Sequence, residues 1–96
     1  MSSENPFTLN PTIIVMYSKS WCPDCRRARK VITESKVPFI ELDVTNDEKA
    51  RAFVREINKG NESVPTIIFP DGSILVEPGN SKLSEKIQSL NSLSAE

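Results

Sequence analysis

Cys22 and Cys25 are the only thiols in the chain, which also lacks histidine. With Pro23-Asp24 between them they form a C-x-x-C, a spacing that closes a disulfide across a tight turn or supplies half of a zinc site. Structural zinc takes four ligands, and one copy of this chain offers two. Redox chemistry is therefore the stronger reading of a single chain. A metal or iron–sulfur cluster bridged between two copies is the binding alternative. If one sulfur attacks and the other resolves, the attacking one belongs at a helix N-terminus, where unpaired N–H groups and the helix dipole favour a thiolate. That assigns Cys22 as nucleophile and Cys25, one turn further in and more buried, as the resolving thiol. Lys19, Arg26, Arg27, Arg29 and Lys30 add positive charge around the pair, and Asp24 opposes them.

The elements needed to hold such a pair are legible in the pattern of apolar residues. Ile13 to Tyr17 is an unbroken apolar run, as in a strand buried on both faces, followed by the polar turn Ser18-Lys19-Ser20. Pro23 suits a first helical turn, where a backbone N–H is dispensable, and Ala28, Val31 and Ile32 continue with helical spacing. The segment Pro38 to Val44 alternates Ile40, Leu42 and Val44 with Glu41 and Asp43, a strand that completes a βαβ unit. Thr45 and Glu48 form a capping-box pattern before a helix marked by Phe53, Val54 and Ile57, which Gly60 should stop. Asp43 and Asp47 read as a strand-end and an early-helix acid rather than as catalytic groups. Ile67-Ile68-Phe69 and Ile74-Leu75-Val76 flank the turn Pro70-Asp71-Gly72-Ser73 and form an antiparallel hairpin, and Leu83, Ile87 and Leu90 mark a closing helix. The order β-α-β-α-β-β-α predicts an α/β domain, a four-stranded mixed sheet covered by three helices. It resembles the thioredoxin fold in its shortest form.

Length and charge narrow the function. Ninety-six residues, 38% of them hydrophobic, suffice for one compact domain with one active site. Residues 1 to 10 mix Ser, Asn, Pro and Glu without a period and read as a flexible arm before a domain over residues 11 to 96. Twelve basic against thirteen acidic residues leave a formal charge of −1, poor footing for nucleic-acid binding. No apolar stretch approaches the about 18 residues of a membrane span, and Met1 to Pro11 lacks the basic start and apolar centre of a secretory signal. A cytoplasmic, monomeric protein without membrane or nucleic-acid partners is expected. Thiol buffers there keep ordinary cysteines reduced, so the pair is chemical rather than a structural staple.

Val64-Pro65 before the third strand is a second signal, because a cis X-Pro bond at a strand start turns the preceding backbone outward to pair with an extended substrate. An ordinary trans, strand-initiating proline fits the sequence as well. Tyr17-Ser18-Lys19-Ser20-Trp21-Cys22-Pro23-Asp24-Cys25, Ser63-Val64-Pro65 and Gly79 before the last helix together resemble a glutaredoxin over residues 12 to about 92. Asn58-Lys59-Gly60-Asn61, Val64-Pro65-Thr66 and Asp71-Gly72-Ser73 resemble the mycoredoxin-like branch.

The resemblance implies a thiol–disulfide oxidoreductase that reduces protein or low-molecular-weight mixed disulfides. Its co-substrate would be glutathione or mycothiol, it would hold no tightly bound cofactor, and its partners would be disulfide-containing proteins. It further implies a cis Pro65 packed beside Cys22 and a Val64 backbone pairing with the cysteinyl part of the small thiol. Pro23 belongs to the same substrate surface. Lys19 reads either as a solvated loop lysine or, by the resemblance, as the contact for a substrate carboxylate. Trp21 reads as a partly buried aromatic or as a wall of the substrate groove. Gly79, Asn80 and Ser81 would hold a carboxylate at the last helix start or simply cap that helix. Glutathione-using members commonly carry Gly-Gly, a small residue and Asp there, and Glu77-Pro78-Gly79-Asn80-Ser81-Lys82 departs from this. A thioredoxin-like dithiol donor fed by a reductase and a dimeric iron–sulfur cluster module are the alternative functions.

Overall fold

The structure is a computed structural model that describes residues 11–94; the expected arm over residues 1–10 lies outside the described residues. The central strand β1 (Ile14–Ser18) is buried at every position, which accounts for its unbroken run of apolar residues. It pairs in parallel with β2 (Phe39–Asp43), from Ile14 opposite Phe39 to Ser18 opposite Asp43. On its other side it pairs antiparallel with β3 (Thr66–Ile68), Tyr17 lying opposite Thr66. β4 (Ile74–Val76) closes the sheet antiparallel to β3, giving the order β2-β1-β3-β4. The strand expected over residues 13 to 17 begins and ends one residue later. Ser18 can occupy a buried strand end because its carbonyl accepts the Val44 N–H (2.9 Å) and its hydroxyl donates to Glu41 Oε2 (2.7 Å).

Alternation along β1 divides the core between two faces. Ile14 and Met16 meet Ala28 and Ile32 of α1 (Pro23–Glu34), Leu83 and Ile87 of α3 (Asn80–Ser94), and Ile67 and Phe69. Val15 and Tyr17 meet Val44, Ile68, and Ala50 and Val54 of α2 (Glu48–Ile57). The sheet thus has α1 and α3 on one side and α2 on the other, in the predicted element order. Among the described residues no helix is long and apolar enough to cross a membrane.

The start of α2 corrects one expectation. Asp47, not Thr45, is the N-cap: its Oδ1 accepts the N–H groups of Lys49 (3.0 Å) and Ala50 (3.1 Å). Thr45 lies in the preceding turn, where its own N–H is bound by Asp43 Oδ1 (2.8 Å), so it stands two residues too early to cap. At the other end, Asn58 is the C-cap and Gly60, with φ 96°, donates its N–H back to the Arg55 carbonyl (2.7 Å). Gly72, with φ 88°, supplies the same left-handed conformation in the β3–β4 turn, where its N–H donates to the Phe69 carbonyl (2.9 Å).

Asp47→Ala should lower the unfolding free energy by about 1 kcal/mol, read from urea midpoints, whereas Thr45→Ala should change it by less than about half of that. Equal losses would return the cap to Thr45.

Candidate active site

Strand pairing sets the positions of the two sequence signals. β1 leads into the Lys19–Trp21 turn, which closes through a hydrogen bond from the Cys22 N–H to the Lys19 carbonyl (3.2 Å). The Tyr17–Thr66 pairing brings Pro65, immediately before β3, to that same end of the sheet. The Val64–Pro65 bond is cis, Pro65 is buried, and its carbonyl accepts the Glu77 N–H beyond β4 (2.8 Å). Asn58 ties the end of α2 to this loop, donating from its side-chain amide to the Val54 carbonyl (3.0 Å) and Thr66 Oγ1 (3.2 Å). The Thr66 hydroxyl in turn donates to the Ser63 carbonyl (2.7 Å). The Val64 side chain packs into the α2-side core.

Cys22 is itself the N-cap of α1. Its backbone is extended (φ −88°, ψ 117°), its carbonyl accepts the Arg26 N–H (3.1 Å), and its Sγ accepts the Cys25 N–H at 3.2 Å. The sulfur therefore occupies the place a Ser or Asp oxygen takes in an ordinary cap, with the N-terminal end of the helix dipole directed at it. Pro23 stands at the first helical position, where its missing N–H removes no bond. Cys22 is half-buried and Cys25 fully buried, and both are free thiols here. Burial first, and then its hydrogen bond with Cys22, push the Cys25 thiol up to about 12 from an ordinary 9.0. The arrangement presents one accessible sulfur, with a protonated partner one helical turn behind it.

The charges around the pair are more fully compensated than their count suggests. Arg27 pairs with Asp24. Arg29, one turn beyond Cys25, is held by Glu41 through two bonds, Nε to Oε1 (2.7 Å) and Nη2 to Oε2 (2.5 Å). Glu41 also accepts from Ser18, and Arg29, followed by Ser18, holds its carboxyl below the usual carboxylate range. Arg29 remains close enough to interact with both cysteines and opposes the upward shift of Cys25. Lys19 faces Glu62 (3.8 Å), and its ammonium lies 5.7 Å from the centre of the Trp21 ring. Trp21, 67% exposed beside Cys22, is the most exposed large hydrophobic side chain among the described residues.

Gly79 precedes α3, and its carbonyl accepts the Leu83 N–H (3.1 Å). A Cβ there would meet nothing within 4 Å, so packing does not demand a glycine. Asn80 and Ser81 line a groove of about 540 Å³ between α3 and the second half of α1, with Val31, Glu34, Ser35 and Glu85. None of the residues flanking Cys22 lines that groove. Among the described residues no three His, Cys, Asp or Glu side chains converge as a metal site.

Sequence reasoning missed Ser18, Glu41 and Glu62. Strand alternation offered a signal for the first two: Met16, Ser18 and Glu41 share the α1 side of the sheet, so a charged residue there needs a partner on α1. Glu62 had no local signal, because its partners lie on the Cys22 loop and on α2.

A central β1 leading into a helix capped by the first of two cysteines, with a cis proline at the same sheet end, defines a thioredoxin-fold protein with a dithiol site. A solved glutaredoxin from Archaeoglobus fulgidus shares the fold with a TM-score of 0.69, covering 91% of this chain and 98% of that one at 23% identity. The glutaredoxin family model matches residues 14–74. A glutaredoxin-named protein of Mycobacterium tuberculosis is 34% identical over 74 residues, 77% of this chain and 88% of its own length. Mycoredoxin 1 of Corynebacterium glutamicum is 32% identical over 77 residues, 80% and 95% of the two chains. The chain belongs to the glutaredoxin family.

Because the fold keeps the Cys25 proton where an unfolded cysteine loses it, the native state binds more protons above pH 9. Stability should therefore fall as pH rises from about 9 towards 12, by at most about 1.4 kcal/mol per pH unit. Burial raises the Tyr17 hydroxyl as well, adding a loss of the same sign at higher pH. Urea midpoints of Cys25→Ala between pH 8 and 10.5 should decline less steeply than those of the wild type; parallel slopes would contradict the assignment.

Proposed function

We propose that this protein is a thiol–disulfide oxidoreductase that reduces mixed disulfides between proteins and a low-molecular-weight thiol, with Cys22 as nucleophile and Cys25 as resolving thiol. The observation that carries the reading is the cap: a half-buried sulfur accepts the Cys25 N–H at the head of α1, while the second thiol is buried behind it. A thiolate there is stabilised by a preformed donor and the helix dipole and is reachable by a substrate disulfide.

In the first step the Cys22 thiolate attacks the small-thiol sulfur of the mixed disulfide. The Cys22–thiol disulfide forms, and the protein substrate leaves as a thiolate that takes up a proton. Two routes then regenerate the site. A second small thiolate attacks the bound thiol's sulfur, releasing the symmetric small-molecule disulfide and the Cys22 thiolate. Alternatively, Cys25 loses its proton and attacks Cys22 Sγ, releasing the small thiol and leaving a Cys22–Cys25 disulfide for later two-electron reduction. Burial of Cys25 as a thiol makes the second route depend on a proton acceptor, and this favours the first at neutral pH.

In this reading Trp21, Pro23, Val64 and Pro65 frame the substrate groove, and Lys19 stands at its edge. A low-molecular-weight thiol is the co-substrate, and the names of the two relatives support this class. The protein acts as a cytoplasmic monomer with no tightly bound cofactor.

Cys22→Ser should reduce mixed-disulfide turnover to the uncatalysed rate, while Cys25→Ser should keep turnover of the same order and accumulate a small-thiol adduct on Cys22. Coupled absorbance assays and intact-protein mass spectrometry check both. Activity in Cys22→Ser with loss in Cys25→Ser would reverse the roles.

A further inference from the structure

Lys19 is three residues before Cys22, and its carbonyl accepts the Cys22 N–H, so its backbone closes the turn that carries Cys22. It is not a free cation waiting for a ligand. Glu62, three residues before Pro65 on the opposite loop, places Oε1 3.8 Å from the Lys19 ammonium. Arg55 of α2 holds the same carboxylate: its Nε donates to Oε2 (2.9 Å), and its Nη2 also donates to that oxygen. The hydrogen bonds from Arg55, and then the charges of Arg55, Lys19 and Arg51, hold the Glu62 carboxyl below the usual carboxylate range, so it is ionised at neutral pH. Lys19 and Glu62 are each about three-quarters covered (24% and 28% exposed), which limits screening by solvent. The end of the sheet that holds Cys22 therefore carries an anchored negative charge against Lys19.

We infer that Glu62 is a specificity-determining residue of the Cys22 site, one that biases it against disulfides whose small-thiol half carries a carboxylate and towards neutral or cationic ones. The inference rests on the proposed oxidoreductase activity and names its substrate class. An incoming carboxylate that seeks Lys19 meets Glu62 Oε1 at the same cation, and like charges on one ammonium raise the free energy of the encounter. An incoming neutral or cationic group leaves the Lys19–Glu62–Arg55 chain intact. Arg55 strengthens the effect, because its bond to Glu62 restrains that carboxylate from swinging away to make room.

The test is a single-turnover reaction that needs no regenerating system. The protein dithiol reduces a symmetric small disulfide to two thiols and becomes the Cys22–Cys25 disulfide, two electrons and two protons passing to the substrate. Three probes differ in charge: cystamine is cationic, bis(2-hydroxyethyl) disulfide neutral, and 3,3′-dithiodipropionate anionic. Each rate is divided by that of the neutral probe for the wild type, Glu62→Gln and Arg55→Gln. Glu62→Gln should raise the anionic ratio about two- to fivefold and lower the cationic ratio, a range set by the strength of partly exposed ion pairs. The change should shrink in 1 M salt. Arg55→Gln, which keeps the carboxylate but releases its anchor, should raise the anionic ratio less than Glu62→Gln does. Ratios that are the same in the wild type and Glu62→Gln, with the neutral probe still reduced, would overturn the specificity role alone. Failure of the wild type to reduce any of the three would overturn the oxidoreductase reading and this inference with it.

Discussion

The hydrogen bond from the Cys25 N–H to Cys22 Sγ joins the backbone of α1 to the half-buried sulfur. An ordinary N-cap satisfies a helix terminus with a side-chain oxygen; here a sulfur takes that position, so forming the helix also arranges the thiol. The rest of the site follows from this constraint. Pro23 can occupy the next position because no donor is required of it, and the first turn carries Cys25 inward to full burial. The two thiols differ in exposure because one ends the loop and the other begins the core.

That cap needs a rigid support, which the central strand provides. Every residue of β1 is buried, and its partners on both sides fix where it ends. The antiparallel pairing with β3 fixes the loop containing Val64, Pro65 and Glu62 at the same edge. Polar contacts reinforce both loops: Ser18 and Arg29 converge on Glu41 beneath α1, and Lys19 and Arg55 converge on Glu62. Each carboxylate joins the Cys22 end of the molecule to a different element. These anions also reduce the positive field that Lys19 and Arg29 would otherwise direct at the thiols.

Most of the architecture was legible in the sequence because it rests on local patterns. The apolar run of β1, the alternation of β2, the Asp-Gly turn and the helical stripes each identify an element without knowledge of its neighbours. The C-x-x-C at a strand-to-helix junction pointed to the paired thiols at the head of α1 for the same reason. What was not legible depends on competition or on long-range pairing. Thr45 matched a capping box, yet Asp47 lies closer to the first free N–H groups and takes them. Glu41 read only as the polar half of an alternating strand until the register set it on the α1 side beside Arg29. Glu62 meets Lys19 across 43 positions of sequence, a contact only the fold creates. Counting charges near the cysteines set Asp24 against the cations but left out Glu41 and Glu62, which only the fold brings to Arg29 and Lys19.

Competitive labelling tests the central claim, that the capping sulfur is the reactive one, most directly. The reduced native protein would be treated at neutral pH with less than one equivalent of iodoacetamide, and the modified cysteine located by fragmenting the peptide that contains both. Labelling confined to Cys22, and shared between the cysteines only after denaturation, is the predicted result. Equal labelling in the native protein, or modification of Cys25 first, would contradict the account.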